Sequence, residues 1–457
     1  MNPAASRLAR VVWRSLAGQE PAASVLSFTG DGDLPSAYAV TDFASAAIAV
    51  AALSVAELIG RAASSISTVA IDRRLSSFWF GWSIRPIDWK IPPARDPITG
   101  DYRTSDGWIR LHTNAPHHRA AAEQVLGRHA DRTSMAAAVA TWAKQDLEAA
   151  IVEAGGCAAE MRSYAEWKDH PQGRTVAAEP LAHIVATDRK APSSWRPAPF
   201  RPLADLRVLD LTRVLAGPIA TRFLAGYGAD VLRIDPPSWD EPGVIPEVTL
   251  GKRCARLDLE DSADRECFEA LLSQADVLVH GYRPGALDHL GYDLAARHSI
   301  SPGLIDVSLS AYGWSGPWAT RRGFDSLVQM SAGIAETGMR WCQSDRPVPL
   351  PVQALDHATG YFMAATAIRA LTRRLDDGFG TVARLSLART AKLLMDNGDR
   401  DPFSLLLPET SADLSPTIEH TDWGDARRLA PPAAVAGAPI HWARPARKLG
   451  SGAPAWG

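Results

Sequence analysis

Two aspartates, each followed by an alanine-rich stretch, are the residues of this 457-residue sequence best suited by type to covalent chemistry. Asp42 precedes one such stretch and Asp356 precedes the other. A carboxylate at the start of a helix can cap its free N–H groups. A carboxylate that faces a cleft can also attack an acyl group, because aspartate is ionised at neutral pH without help. The two roles are compatible in one residue.

Several basic and aromatic side chains fall near the ends of predicted strands. The formal net charge is -3, so no global positive field attracts nucleic acid or an anionic membrane. Any site for a polyanion must therefore be local. Each basic residue alone is read as a solvated surface charge, whereas a set of them at the strand-end loops indicates an anion site.

The cysteines and the apolar stretches exclude several classes of protein. The four cysteines (Cys157, Cys254, Cys267 and Cys342) form no C-x-x-C pair. Their spacing argues against a thiolate metal site and a disulfide scaffold, and it suits a cytoplasmic protein. Residues 43–59 are apolar but short for a membrane span, so we expect a buried helix. No signal peptide, metal site or membrane association is predicted.

A parallel sheet is the element that must position these side chains. After a Pro-rich linker at 191–202, short apolar strands alternate with helices, which predicts a doubly wound α/β fold. The predicted strands are Arg207–Leu211, Asp230–Ile234, Ala255–Leu259, Asp276–His280 and Ile305–Leu309. Ligands of such sheets bind at the carboxyl ends of the strands. The loops after Leu211, Asp235, Leu259, His280 and Leu309 are therefore the predicted binding loops.

The chain also contains an internal repeat. Asp42 and Asp356 each precede an alanine-rich helix, and a Thr-Val-Ala strand follows each at nearly the same distance. We expect residues 1–85 to form a partial copy of the large domain and 86–190 a small α+β domain. Residues 203–400 are expected to form an α/β domain that contains Asp356 and lacks a small domain of its own, and the tail 401–457 is expected to be extended over the surface or partly disordered.

Four segments in order resemble the family III CoA-transferases. They are Leu203–Pro237, Gly251–Leu259, Val279–Gly291 and Ser310–Gly333, followed by the Asp356 helix. The family includes formyl-CoA and carnitine CoA-transferases, with α-methylacyl-CoA racemase as a relative. The first 190 residues resemble a different part of the family, the second half of the large domain followed by the small domain. This order implies a truncated or rearranged tandem whose halves complement each other.

The resemblance implies an α/β CoA-binding domain and a covalent mechanism at Asp356. In the family an aspartate attacks the acyl-CoA thioester, and backbone N–H groups near Asp356 and Gly360 would stabilise the oxyanion. The residues expected to bind CoA are Val214, Leu215, Lys252, Arg253, Tyr282, Arg283, His289 and Arg322. No permanently bound cofactor is expected, since CoA or acyl-CoA is a substrate. His357 is expected to be structural or solvent-facing, and Asp42 a helix cap left from duplication.

Some positions depart from the family pattern and leave alternatives open. Leu215 stands where a polar side chain is usual, and Pro236 and Gly281 replace an arginine and an asparagine. Gly323-Phe324-Asp325 replaces the Gly-His-Asp of the racemases, and phenylalanine cannot exchange a proton, which disfavours racemisation. The alternatives to a CoA-transferase are a non-catalytic CoA-binding paralogue or partner subunit, and an acyl-CoA isomerase, racemase or lyase. A homodimer is expected, with a homologous subunit as a further partner to consider.

Overall fold

The computed structural model describes residues 3–16, 25–61, 67–93, 96–190, 195–397 and 404–457. The strands of this part of the chain are β1 (Leu26–Thr29), β2 (Val69–Asp72), β3 (Ile84–Pro86), β4 (Gly100–Arg103), β5 (Trp108–Leu111), β6 (Ala158–Glu160), β7 (His183–Lys190), β8 (Arg207–Leu211), β9 (Asp230–Asp235), β10 (Lys252–Arg256), β11 (Val277–His280), β12 (Ile305–Ser310), β13 (Phe379–Ser386), β14 (Leu414–Thr421), β15 (Gly424–Leu429) and β16 (Ala433–Val435).

The helices of the same ranges are α1 (Pro3–Ser15), α2 (Val40–Gly60), α3 (Arg73–Trp79), α4 (Pro116–Leu126), α5 (Arg132–Val139), α6 (Lys144–Glu153), α7 (Tyr164–Asp169), α8 (Pro171–Ala178), α9 (Ala216–Gly226), α10 (Ile245–Val248), α11 (Ser262–Leu272), α12 (Ala286–His289), α13 (Leu294–Ile300), α14 (Asp325–Ser331), α15 (Ile334–Trp341), α16 (Ala354–Asp377) and α17 (Leu387–Asp396). A 3₁₀ turn at Ser411–Asp413 precedes β14.

The central element is a seven-stranded sheet in the order β10-β9-β8-β11-β12-β13-β7. Strands β8 to β13 are mutually parallel, and β7 is antiparallel to β13 at the edge. Counted along the chain from β8, the parallel strands stand in the order 3-2-1-4-5-6 of doubly wound nucleotide-binding folds. The predicted parallel α/β sheet is confirmed. Its strand order reverses between β8 and β11.

Successive residues of each parallel strand point to opposite faces of the sheet, and both faces are covered. Val208 and Val277 lie in the core that includes α9 and α16, whereas Leu209 and Leu278 lie in the core that includes Phe268 of α11. A parallel sheet buried on both faces has near-continuous apolar strands, because side chains alternate with a period of two. This explains why short runs such as RVLDL could be recognised as strands.

The N-terminal residues form a small version of one end of this sheet. Strands β1 and β2 are parallel, as β12 and β13 are, and α2 packs against α16. Asp42 and Asp356 are each the third residue of their helix, and the residues before the two helices share one backbone conformation (Ala39 φ -74°, ψ 63°; Gln353 φ -76°, ψ 65°). Asp72 and Ser386 follow their aspartates at equal distance, and each caps the next helix.

The two copies exchange their edge strands. The strand that follows the small domain, β7, pairs antiparallel with β13 of the second copy. The strand near the C-terminus, β16, pairs antiparallel with β2 of the first copy. Each copy therefore supplies a strand to the sheet of the other within one chain. The oligomeric state of the protein stays a prediction.

Helix α2 is the one described helix that is long and apolar enough, by length and composition, to cross a membrane. In the folded chain 83% of its apolar window is buried. Its buried side includes Phe43, whose ring meets that of Phe362 on α16 edge-on at 6.2 Å between centroids. The predicted buried helix is confirmed.

The small domain packs three antiparallel strands, β4-β5-β6, on the helices α4 to α6 around a separate apolar core. Residues 104–107 connect β4 to β5. The expectation of an extended or disordered tail is wrong for Leu414–Val435. There β14 and β15 form an antiparallel pair that adds β3, and β16 joins β2. Residues 191–194 of the expected linker and 398–403 lie outside the described residues.

Candidate active site

A cleft of about 570 Å³ opens at the carboxyl ends of the parallel strands. It spans the point between β8 and β11 where the strand order reverses, which is where doubly wound sheets bind ligands. The loop after β8 contributes 211–214 and 216–217, the loop after β11 contributes 281–284, and the end of β12 contributes 309–311. Segment 321–324, Asp356, Leu387 and two histidines of α4 also line it, together with Trp239, Glu260, Ala319 and residues 286 and 289–290.

Asp356 lies on the wall of this cleft and is 6% exposed. The cap of its helix comes from another element, since the Asp325 carboxylate accepts the backbone N–H groups of Leu355 and Asp356, both at 2.9 Å. The interpretation of Asp356 as a helix N-cap is therefore wrong. Among the described residues, none donates a hydrogen bond to its carboxylate, which leaves that group available to a ligand.

The surroundings of Asp356 disfavour its charge. Burial, and then the neighbouring Asp325 carboxylate, raise the pKa of Asp356 well above its usual range. Burial likewise raises the pKa of Asp325, to about 6. Asp356 is therefore less readily ionised than its residue type alone predicts. A carboxylate with a raised pKa is more basic once it ionises.

The backbone donors expected near Asp356 and Gly360 are already used. The Asp356 N–H bonds to Asp325, and Gly360 lies in the second turn of α16, where its N–H serves the helix. Gly360 also packs so tightly that a Cβ there would lie 2.4 Å from the Ala216 carbonyl oxygen. Ala216 and Gly217, in the first turn of α9, line the cleft instead, and their N–H groups are among the free donors of that turn. They have no acceptor within α9, and the positive end of the helix dipole lies there.

Three arginines make the other part of the cleft basic. The Arg213 guanidinium lies 4.8 Å from the centroid of the Trp239 ring and 5.4 Å from that of Tyr282, and it donates to the Tyr282 hydroxyl at 3.3 Å. Arg283 and Arg322 line the same region, and none of the three arginines is ion-paired with a described carboxylate. The cleft therefore contains the local basic site that a polyanionic ligand would need on a chain of negative net charge.

Two histidines of the small domain, His117 and His118, line the cleft. Burial, followed by the nearby His117 and Arg322 side chains, lowers the pKa of His118 to about 3. Burial and the three arginines also lower the pKa of His117. Both imidazoles are therefore neutral at physiological pH. The ring of His112 stacks on Phe324, with centroids 3.7 Å apart.

Five of the predicted CoA-contacting residues lie in the cleft: Val214, Tyr282, Arg283, His289 and Arg322. Val214 adopts a positive φ of 64°, and its N–H donates to Glu241 Oε2 at 2.9 Å. Arg322 Nη1 donates to the Gly155 carbonyl at 3.0 Å and so joins the cleft to the small domain. These residues are brought together by the loops after β8 and β11, the short helix α12 and segment 321–324.

Leu215 does not line the cleft. It is 1% exposed and belongs to the main apolar core, one residue after the left-handed turn at Val214. That turn directs Val214 toward the cleft and Leu215 into the protein. The expectation that Leu215 meets the ligand is wrong, and its departure from a polar residue follows from its burial.

Lys252 and Arg253 lie at the amino end of a parallel strand, whereas the cleft lies at the carboxyl ends. Strand β10 begins at Lys252, three residues before the predicted start, so both residues stand at its amino end. The Lys252 ammonium is fully buried, 2.8 Å from Asp210 Oδ2 and 2.8 Å from the Pro218 carbonyl, and burial lowers its pKa to about 8. Arg253 pairs with Asp230 at 3.2 Å. The expectation that these two residues reach the cleft is wrong.

Several residues of the site were not predicted: Arg213, Trp239, His117, His118 and Asp325. Arg213 lies in the loop after Leu211, which was identified as a binding loop, so its charge was an available signal. His117 and His118 come from the small domain, and nothing in their local sequence indicates that they face a cleft on another domain.

The residues beside and equivalent to Asp356 are structural. His357 is buried and stacks on Phe80 at 5.0 Å between centroids, and burial lowers its pKa well below the usual range. Asp42 is not an N-cap, since it occupies the same third position as Asp356. Its Oδ1 accepts the Arg73 guanidinium at 2.9 and 3.1 Å. Within the described ranges no cluster of histidine, cysteine or acidic residues is arranged to hold a metal ion.

The family model described as CoA-transferase family III matches residues 203–398, the segment that builds the sheet and carries Asp356. This segment belongs to CoA-transferase family III. An acetyl-coenzyme A transferase of Hypoxylon pulicicidum is 33% identical over 199 residues, 41% of this chain and 34% of the relative. An acyl-CoA transferase of Gibberella moniliformis is 28% identical over 360 residues, 73% of this chain and 62% of the relative, so this match extends beyond the sheet.

A probable fatty acyl-CoA transferase of Mycobacterium tuberculosis is 32% identical over 213 residues, 44% of this chain and 54% of the relative. The chain thus spans from about a third to less than two thirds of the length of these relatives. Among solved structures, a hypothetical protein of M. tuberculosis aligns over 44% of this chain and 58% of its own, with 31% identity and a TM-score of 0.40. A CAIB/BAIF family protein of Brucella suis aligns over 49% and 65%, with 26% identity and a TM-score of 0.39.

Proposed function

We propose that this protein transfers CoA from an acyl-CoA thioester to a carboxylic acid, with Asp356 as the covalent nucleophile. The observation that carries the proposal is the position of the Asp356 carboxylate. It lines a basic cleft at the carboxyl edge of a parallel sheet and accepts no hydrogen bond from the described residues. The names of the matching relatives, which include acyl-CoA and acetyl-CoA transferases, support the same reaction.

The reaction proceeds through exchange at the Asp356 carboxylate. One of its oxygens attacks the thioester carbon, the carbon–sulfur bond breaks, and CoA leaves as a thiolate to give a mixed anhydride. The thiolate then attacks the aspartyl carbon, which releases the donor acid and forms an aspartyl-CoA thioester. The acceptor carboxylate attacks the aspartyl carbon of this thioester, the carbon–sulfur bond breaks, and a second mixed anhydride forms. The released thiolate then attacks the acceptor acyl carbon, which gives the acceptor thioester and frees the Asp356 carboxylate.

The cleft supplies the groups that these steps need. The phosphates of CoA would bind Arg213, Arg283 and Arg322, since guanidinium groups recognise phosphate with paired hydrogen bonds. The N–H groups of Ala216 and Gly217 would stabilise the oxyanion on the attacked carbon. Phe324 occupies the position of the racemase histidine and lines the cleft, so proton exchange at that position is disfavoured. No cofactor beyond the CoA substrate is required.

Trapping of the acyl intermediate tests the proposal. The protein is incubated with acyl-CoA and hydroxylamine, digested, and analysed by mass spectrometry. Hydroxylamine converts an aspartyl anhydride or thioester to a hydroxamate, so we expect this modification at Asp356 and at no other carboxylate. Asp356→Ala serves as the control that removes the modified residue.

Three outcomes would count against the proposal. An unmodified Asp356 together with full transferase activity in Asp356→Ala would remove the nucleophile. CoA binding without any turnover, across a panel of thioesters and acids, would instead indicate a non-catalytic CoA-binding protein. Solvent deuterium at the α-carbon of a recovered thioester would favour an isomerase.

A further inference from the structure

The cleft is polarised. Its basic part, with Arg213, Arg283 and Tyr282, lies on the loops after β8 and β11. The part around Asp356 is built from four apolar residues: Leu309 of β12, Ala311 just after it, Phe324 of segment 321–324 and Leu387 at the start of α17. The reacting end of the substrate and its charged end therefore meet different surroundings.

The neighbours of Asp356 can be placed by the contacts one helical turn away. Thr359 Oγ1 donates to Thr390 Oγ1 at 2.8 Å, which joins α16 to α17 three residues beyond Asp356 and Leu387. The Ala388 N–H donates to the Ala311 carbonyl at 2.9 Å, which places the end of β12 beside them. Leu387 and Ala311 therefore stand next to the Asp356 carboxylate.

The polar groups at this end are already engaged within the protein. The Ser310 hydroxyl donates to the Gly313 carbonyl at 2.8 Å and accepts the Gly313 N–H at 3.1 Å. Arg110 acts electrostatically on Asp325, but its ion pair is with Asp101 at 2.7 Å and it does not line the cleft. Arg321 lies 4.0 Å from the centroid of the Trp318 ring and pairs with Glu148 at 3.0 Å.

The phosphates of CoA would bind the cations of the cleft that have no described carboxylate partner. CoA carries a diphosphate and a further phosphate, and the cleft offers Arg213, Arg283 and Arg322 as arginines without a described carboxylate partner. His117 and His118 are neutral and add no positive charge. A second carboxylate on the substrate would thus lie among apolar side chains without a cation, and such a burial is costly.

We infer that the acids exchanged by this protein are apolar monocarboxylic acids rather than dicarboxylic acids. The inference rests on the proposed function, because it names the substrate class of the same cleft. The acid places its single carboxyl at Asp356 and its hydrocarbon part against Leu309, Ala311, Phe324 and Leu387.

A matched panel of acceptors tests the inference. Full-length protein is given one acyl-CoA donor and pairs of acids of equal carbon number, hexanoate with adipate and heptanoate with pimelate. Product thioesters are measured by chromatography and mass spectrometry. We expect kcat/KM for each monocarboxylate to exceed that of its dicarboxylate partner by on the order of 100-fold.

A charge introduced at the apolar wall sharpens the test. Leu309→Arg places a cation at the end of β12, and Leu309→Met is the matched neutral control. We expect the preference for monocarboxylates to fall at least about tenfold in Leu309→Arg and to persist in Leu309→Met.

The outcomes separate the two claims. Equal or better use of dicarboxylates by the wild-type protein overturns the substrate class while transfer itself stands. A complete lack of transfer to every acid, with no hydroxamate at Asp356, overturns the proposed function and the inference with it.

Discussion

The helices that begin near Asp42 and Asp356 share one backbone arrangement, but the two aspartate side chains have different surroundings. In both, the aspartate is the third helical residue, and the next helix is capped at the same distance along the chain, by Asp72 and by Ser386. The residue after that cap is Arg73 in the first copy and Leu387 in the second. Arg73 binds Asp42 at 2.9 Å, whereas Leu387 leaves Asp356 facing the cleft.

The difference shows how one position decides whether a buried carboxylate is paired within the protein or faces the cleft. Asp42 is paired with a guanidinium that also binds Asp33 at 2.8 Å, so its charge is compensated within the first copy. Asp356 has a like charge, Asp325, beside it in place of a cation. An unpaired buried carboxylate costs stability, and functional sites commonly carry such costs.

The largest expected effect is on turnover after removal of each carboxylate. Asp356→Asn should lower kcat for CoA transfer by about 10⁴-fold or more, because the amide is not a nucleophile. Asp42→Asn should leave kcat within about twofold, since it lies outside the cleft. Steady-state assays of both purified variants with one donor and one acid measure this contrast. Comparable losses in the two variants would contradict the assignment of chemistry to Asp356 alone.

Conversion of the second copy to the pattern of the first should inactivate the protein. Leu387→Arg puts a guanidinium where Arg73 stands, and an ion pair with Asp356 should reduce kcat/KM on the order of 100-fold. Leu387→Met keeps the apolar wall and should retain most activity. Circular dichroism and melting curves of both variants establish that they are folded. Full activity in a folded Leu387→Arg protein would show that the equivalent position does not control the carboxylate.

The influence of Asp325 should appear in the pH dependence of the rate. Asp356 must be ionised to attack, and its pKa is raised, so kcat/KM should rise with pH through a limb above the ordinary range of aspartate. Asp325→Asn removes a negative neighbour, lowers the pKa of Asp356 and moves this limb to lower pH. Asp325→Ala also removes the cap of α16 and should lower the plateau at every pH. If the rise of kcat/KM occurs at the same pH in Asp325→Asn as in the wild-type protein, Asp325 does not control the pKa of Asp356.

The smallest effects concern stability and should have opposite signs in the two copies. A folded-state pKa above the unfolded value gives stability at low pH that is lost as pH rises through the folded pKa. Asp356→Asn should therefore raise the free energy of unfolding at pH 8, and the gain should fade toward pH 4. Asp42→Asn should lower it by about 1 to 3 kcal/mol, because Arg73 loses a buried partner. Urea unfolding at both pH values measures the signs, and a destabilised Asp356→Asn at pH 8 would refute this account.

Much of the sheet could be predicted from local sequence. Segments such as Arg207–Leu211 and Ile305–Leu309 are short apolar runs between turn signals, and they form strands within one residue of the predicted ends. The prediction for β10 was shifted because Lys252 was interpreted as polar and exposed, whereas it is buried in an ion pair with Asp210. A charged side chain is buried only where a partner far along the chain neutralises it, and the local sequence pattern does not identify that partner.

The candidate site was predicted in part for a similar reason. Loops at strand ends are fixed by strand direction, so Tyr282, Arg283 and Arg322 lie in the cleft as expected. Leu215 was placed there wrongly, because the positive φ of Val214 turns the following side chain into the core. His117 and His118 were missed, because the small domain reaches the cleft only in the folded chain.

The sequence by itself determined the alternation of strands and helices, the loops at which a ligand can bind, and the two aspartates that begin matching helices. These features depend on residues close together in the chain. Only the tertiary structure decided which aspartate is free. Arg73 and Leu387 lie far along the chain from the carboxylates they face, and burial and charge act on Asp42 and Asp356 only after those distant residues are brought into contact.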